Sequence, residues 1–210
     1  MTARTVTVSS AFGALGGSIG PAVADRLGLP FVDRAIPDAV ATEIGCSLAE
    51  ALEHDDRAET GLGRLLAGAA RLPNVSIGGM DVYAPDRPRL VPEEEFVEHT
   101  ERVIRKVAEE GAVVLGRAAA VVLGDDPQSF HVRLDGPRAR RLAQVAAEFG
   151  VEGRTAERML DDNDRARTAY VKHFYRVDPA SPWLYHLVLD STRLPQAACV
   201  DLIVRATQAV

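Results

Sequence analysis

Val6-Thr7-Val8-Ser9-Ser10-Ala11-Phe12-Gly13-Ala14-Leu15-Gly16-Gly17-Ser18-Ile19-Gly20 runs from a β-branched segment through a glycine-rich turn into an amphipathic helix. That is the layout of a phosphate-binding loop. Glycines let the backbone take positive φ and approach an anion closely, and the unpaired N–H groups at the helix start face its charge. The common pattern G-x-x-x-x-G-K-[S/T] would put a lysine after Gly16, where this chain has Gly17, with Ser18 in the hydroxyl position. The cradle is written in outline and its cation is missing.

Outward from this stretch the chain alternates strand-like and helix-like segments, the pattern of a parallel sheet covered by helices on both faces. Thr5 to Ser10 reads as the first strand, and Ser18 to Leu27 as a helix ended by Gly28 and Pro30. Phe31-Val32 is a short second strand ending at Asp33-Arg34. Pro37 to Leu72 is helical with weak breaks, Arg71 to Pro92 collects prolines and glycines as an irregular connection, and Glu93 to Glu110 is a long charged helix. Ala112 to Gly116, Phe130 to Leu134 and Leu187 to Asp190 read as strands three to five. Helices are predicted from Pro137 to Phe149, from about Thr155 to Lys172, and from Pro195 to Ala206.

Composition bounds the function. With 210 residues, 47% of them apolar, the chain can bury a core as one compact domain. A formal net charge of −6 argues against coating a nucleic-acid polymer and toward a small partner. Cys46 and Cys199 lie far apart with no C-x-x-C spacing, which favours neither a disulfide framework nor a zinc knuckle. The most apolar stretch, Ala112 to Leu123, is short and broken by Arg117, and no signal segment opens the chain, so a cytoplasmic protein without a membrane span is expected.

Open parallel sheets bind ligands beyond the carboxyl ends of their strands. Ser9 to Ser18, Asp33-Arg34, Gly116-Arg117 and Asp135 to Arg138 all follow strand ends and should converge on one cleft. Lysine occurs only at Lys106 and Lys172, whereas arginine, whose rigid fork holds phosphate oxygens in pairs, is abundant. Asp161-Asp162-Asn163-Asp164-Arg165-Ala166-Arg167-Thr168 is the densest cluster. On a helix Asp161 faces Arg165 and Asp164 faces Thr168, so the plain reading is a solvated, ion-paired surface. The sharper reading makes Arg165 and Arg167 lid arginines over a nucleotide's phosphates.

Phe12-Gly13-Ala14-Leu15-Gly16-Gly17-Ser18-Ile19-Gly20, Leu27-Gly28-Leu29-Pro30-Phe31-Val32-Asp33-Arg34 and Val114-Leu115-Gly116-Arg117-Ala118 together resemble the cytidylate kinase-like family of P-loop proteins. Its members commonly read F-G-S-G-G-x-x-I, then L-G-x-P-F-x-D-[KR], then G-R. Phe130 to Arg141, Asp164-Arg165-x-Arg167, Trp183-x-Tyr185 and Leu187 to Ser191 extend the similarity. The resemblance implies a single α/β domain over residues 1–210, a three-layer P-loop kinase-like parallel sheet with a helical insertion near 35–110 and a helical lid near 150–178. It implies transfer of the ATP γ-phosphoryl to a nucleoside monophosphate or a related small phosphorylatable metabolite, with ATP and Mg2+ as cofactors. By position, Gly13, Ala14, Leu15, Gly16, Gly17 and Ser18 would cradle ATP, with Ser18 near the magnesium. Arg117, Arg165 and Arg167 would serve catalysis, and Asp33 and Arg34 the acceptor. His173-Phe174-Tyr175-Arg176 closes the lid helix with a surface suited to a second copy, so a homodimer is carried as an expectation.

The chain departs from cytidylate kinases at Gly17, where they keep lysine, and at Ala118, where they place aspartate. Relatives lacking the lysine often read S-R-x-F, but here the residues are Ser9-Ser10-Ala11-Phe12. Arg4, Arg34, Arg138 and Lys172 are the candidates to replace the lost charge. The alternative function is a weak or inactive P-loop protein acting as a nucleotide sensor or interaction module. A dinucleotide-binding enzyme ranks lower, because G-x-G-x-x-G is out of register. The histidines read as structural, Trp183 and Tyr185 as packing residues, and Asp190 either as a holder of water or magnesium or as the cap of the Ser191-Thr192 turn.

Overall fold

A computed structural model describes residues 3–32, 93–116 and 118–209. Five strands, β1 (Thr5–Ser10), β2 (Phe31–Val32), β3 (Val113–Leu115), β4 (Ser129–Asp135) and β5 (Leu187–Asp190), form one sheet in the order β2-β3-β1-β4-β5. All pairings are parallel. The helices are α1 (Gly16–Leu27), α2 (Glu93–Glu110), α3 (Ala119–Val122), α4 (Arg138–Phe149), α5 (Gly153–Tyr175) and α6 (Gln196–Thr207). Of the insertion expected near 35–110, only the helix Glu93–Glu110 is described; its part up to Pro92, together with Asp33, Arg34 and Arg117, lies outside the described residues.

The alternation of side chains along each strand builds the two flanking layers. Val6, Val8, Val113 and Leu115 pack with Ile19 and Val23 of α1 and with Cys199, Val200 and Ile203 of α6. Val114 points the other way, to Ile104 of α2 and Ala119 and Val122 of α3. On that second face Thr5 donates its hydroxyl to the Ala108 carbonyl at 3.1 Å, and Thr7 Oγ1 lies 2.8 Å from His131 Nδ1, so both buried hydroxyls are partnered. A third cluster, Phe12, Val145, Ala156 and Leu160, joins α4 and α5 to the glycine loop.

Most predicted elements appear within one or two residues of their expected bounds, and the differences have local causes. β3 ends at Leu115 because Gly116 takes φ 76. β4 runs longer than expected, as Ser129 pairs with Thr5 and Asp135 with Asp190. Helix α5 begins at Gly153 and continues to Tyr175, where Arg176 at φ 56 caps it.

Candidate phosphate-binding site

Strand order reverses at β1, which has β3 on one side and β4 on the other, so the cleft beyond its carboxyl end is the topological switch point. The glycine loop occupies that point. Gly13 takes φ 76, and a side chain there would stand 2.5 Å from the Arg141 carbonyl oxygen. Leu15 caps α1 in the left-handed region at φ 61 and ψ 20, a conformation that turns successive N–H groups to one side. A Cβ on Gly16 would fall 2.5 Å from Ser10 Cβ, so only glycine lets α1 start this close to β1. Among the described residues the N–H groups of Gly13, Leu15, Gly16 and Gly17 meet no protein acceptor, whereas that of Ala14 bonds the Ala11 carbonyl at 3.1 Å. Four donors at the positive end of a helix fit a polyphosphate. Ser18 donates its exposed hydroxyl to the Leu15 carbonyl at 3.1 Å.

The loop is pinned from both sides. Asp164 Oδ1 accepts the Phe12 N–H at 3.0 Å, and Arg141 Nη1 donates to Asp164 Oδ2 at 2.6 Å and to the Phe12 carbonyl at 2.9 Å. Arg141 also donates from Nε to the Gly136 carbonyl at 3.0 Å. On the other side Ser191 donates to the Ala14 carbonyl at 2.8 Å, and Tyr185 donates to Ser9 Oγ at 3.2 Å. Arg167 reaches the loop from α5, donating Nη1 to the Ser10 carbonyl at 2.7 Å with its guanidinium 5.3 Å from the Phe12 ring centre.

Asp161 and Asp164 therefore pair across to α4 rather than along their own helix. Asp161 takes a bidentate bond from Arg138 at 2.9 Å, which holds its carboxyl below the usual range. This engages Arg138, one of the candidates to replace the missing lysine. Lys172 lies 3.7 Å from Asp178, and Arg4 precedes β1 at the opposite end of the sheet. Arg165 is exposed and forms no ion pair among the described residues. Asp190 caps its turn: Thr192 donates Oγ1 to it at 2.6 Å and N–H at 3.2 Å, and Arg140 pairs with it. The Thr192 hydroxyl, then Arg140, hold its carboxyl low. Burial opposes the charge of Arg133, but Asp135 at 2.7 Å more than offsets this and raises its pKa.

Trp183 is not a packing residue, since it is 93% exposed. Tyr185 does pack, under the Arg133 guanidinium at 5.7 Å. His131 and His186 serve the structure, the His131 N–H donating to His186 Nδ1 at 3.0 Å. Arg141, Asp164, Tyr185 and Ser191 as loop supports were missed in the sequence. The one available signal was spacing: Arg138 and Arg141, like Asp161 and Asp164, sit on one face of a helix.

Comparison with known proteins agrees with this geometry. The family model of the cytidylate kinase-like family matches residues 5–193. The chain belongs to the cytidylate kinase-like family of P-loop proteins. A cytidylate kinase of Methanopyrus kandleri is 35% identical over 98 residues, which cover 42% of this chain and 51% of that protein. A uronate isomerase of Corynebacterium glutamicum is 26% identical over 134 residues, 63% of this chain and 26% of that protein. The chain thus spans about half and about a quarter of these two relatives. The crystal structure of an uncharacterised protein from Eubacterium ventriosum shares the fold, with a TM-score of 0.66 over 99% of each chain at 15% identity. Among the described residues no helix is long and apolar enough to cross a membrane.

Proposed function

We propose that the protein is a cytidylate kinase-like phosphotransferase that moves the ATP γ-phosphoryl to a nucleoside monophosphate or a related small acceptor. The observation that carries this reading is the loop at the β1 switch point, with its unpaired N–H groups, in a chain of this family. The name of the Methanopyrus kandleri relative supports a nucleoside monophosphate as acceptor. Family membership favours a phosphotransferase over a sensor or interaction module.

Bound ATP with Mg2+ supplies the transferable phosphoryl and a metal that screens phosphate charge. Gly13, Leu15, Gly16 and Gly17 hold the phosphates through backbone N–H donors, with Ser18 at the metal side, while Ala14, whose N–H is taken by the Ala11 carbonyl, only shapes the turn between them. Arg165, exposed on α5, and Arg167 at the loop stabilise negative charge as it shifts between oxygens. Arg117, Asp33 and Arg34 receive the acceptor. Phosphoryl transfer needs positioning and charge stabilisation more than covalent chemistry from the protein, so a cradle and a set of arginines suffice. The protein works as one cytoplasmic P-loop domain, with α5 as its lid and a homodimer as its assembly.

Isothermal titration with ATP, ADP and CMP, with and without magnesium, tests the reading. Binding of ATP and of CMP to the same protein at once is expected, and absence of nucleotide binding would overturn it. In a coupled assay, Arg165→Ala should cut turnover by about tenfold or more with the fold intact.

A further inference from the structure

Resting on this phosphate-binding reading, we infer that Ser191 is a positioning residue for the glycine loop: its hydroxyl holds the peptide between Ala14 and Leu15 so that the Leu15 N–H faces the phosphates. Ser191 is 1% exposed and donates its hydroxyl to the Ala14 carbonyl at 2.8 Å. A planar trans peptide points its carbonyl and its N–H in opposite directions. Tying the Ala14 carbonyl inward therefore turns the Leu15 N–H outward, to join the unpaired N–H groups of Gly13, Gly16 and Gly17. Ser191 is itself held, since its N–H donates to the Asp135 carbonyl at 3.1 Å and Thr192 closes the turn on the Asp190 carboxylate. The clamp thus stands on the carboxyl ends of β4 and β5.

The hydroxyl matters because Leu15 is strained. Its φ of 61 and ψ of 20 are a left-handed conformation that costs free energy at any residue with a Cβ. Turning the peptide between Ala14 and Leu15 over would bring that φ into the negative region and relieve the strain. The same flip would withdraw the Leu15 N–H and present the Ala14 carbonyl oxygen to the phosphates instead. What opposes it is the bond to Ser191. Ala14 is 0% exposed, and among the described residues no other donor reaches its carbonyl, so breaking the bond strands a buried acceptor. The neighbouring donors need no such help. Gly13 at φ 76 has no Cβ to strain, and Arg141 holds the Phe12 carbonyl before it at 2.9 Å. The Leu15 carbonyl, which sets the direction of the Gly16 N–H, accepts the Ser18 and Ile19 N–H groups of α1 at 3.1 and 2.9 Å. Leu15 is the strained donor of the cradle, and its direction depends on a hydroxyl 177 residues away in sequence.

Titration calorimetry with inorganic tripolyphosphate would compare the wild type, Ser191→Ala, Ser191→Cys, and the double variant Ser191→Ala/Leu15→Gly. Ser191→Ala should weaken binding by about tenfold. Ser191→Cys puts a weaker donor in nearly the same space, so its affinity should fall between the two, and it carries the test where the alanine variant does not fold. Glycine removes the cost of a positive φ, so adding Leu15→Gly to Ser191→Ala should recover most of the lost affinity. The double variant gives up the packing of Leu15 on the core and should unfold more readily than either parent, so recovered affinity separates aim from stability. A serine that only filled space would gain nothing from glycine at position 15. Unchanged affinity in Ser191→Ala, or in Ser191→Cys where only that variant folds, would overturn the inference, as would a loss that Leu15→Gly leaves in place, or a wild type that does not bind tripolyphosphate. Ser191-dependent binding without ADP release to any acceptor would instead count against the phosphotransferase reading and leave this inference standing. Acceptor-dependent ADP release with unchanged tripolyphosphate affinity in Ser191→Ala would do the reverse.

Discussion

Gly13 and Gly17 lie in one loop and respond to a side chain in opposite ways. A methyl group on Gly13 would sit at φ 76, 2.5 Å from the Arg141 carbonyl oxygen and 2.9 Å from Val145 Cγ2. Gly13→Ala should cost about 2 kcal/mol or more. Gly17 stands in the first turn of α1 with open space around it, so Gly17→Ala should add about 0.5–1 kcal/mol of stability. Urea unfolding of both variants checks this, and equal effects would contradict the loop geometry. His131 sets a pH dependence of its own. Burial, then the neighbouring His186, lowers its pKa to about 4. A histidine held neutral in the fold contributes its full stability above the unfolded value near 6.5, and loses it as pH falls toward 4. The loss should be on the order of 2–3 kcal/mol. Unfolding curves between pH 7 and 4 should be flatter for His131→Gln, and an unchanged slope would rule the imidazole out. The turn at the loop glycines was legible in the sequence because the positive φ of Gly13 and the close approach of Gly16 to Ser10 are local demands on the backbone. The position of Arg167 was not, because its partner Ser10 lies 157 residues away.

At the scale of elements, α4 and α5 are joined by two arginine–carboxylate pairs of unequal weight. Arg138 and Asp161 are 50% and 42% exposed, so Asp161→Asn should cost less than about 1 kcal/mol. Arg141 is 11% exposed, and Asp164 also accepts the Phe12 N–H. Asp164→Ala strands a mostly buried charge and a backbone donor, and should cost about 2–4 kcal/mol. Chemical denaturation should rank the two this way, and a larger cost for Asp161→Asn would contradict the brace. Both helices were predicted from periodicity, but their pairing was not. Residues four apart on α5 supply nearby partners, so sequence alone favoured Asp161 with Arg165, whereas the fold brings Arg138 closer. The exposure of Trp183 was hidden for a similar reason: its size suggested packing, while its 3-10 turn, Pro182–Leu184, holds no buried residue.

Over the whole molecule, β-branched runs separated by amphipathic helices announce a covered parallel sheet, and the five strands seen among the described residues were found by that pattern. The order β2-β3-β1-β4-β5 was not legible, because it is set by helix crossovers rather than by any strand's own residues. That order puts the glycine loop between neighbours on both sides and gives the cleft its place. A ligand that binds only the folded chain stabilises it by about 2.7 kcal/mol at a concentration one hundred times its Kd. ATP at that level should raise the Tm by roughly 5–10 °C, and no shift in the presence of saturating ATP would speak against a nucleotide site. The most direct measurement is ADP release from ATP and Mg2+ by the purified wild type across a panel of nucleoside monophosphates, CMP and dCMP first. Release that depends on one of these acceptors and saturates with it is the expected result. ADP release no faster with any acceptor than without one would contradict a phosphotransferase acting on nucleoside monophosphates.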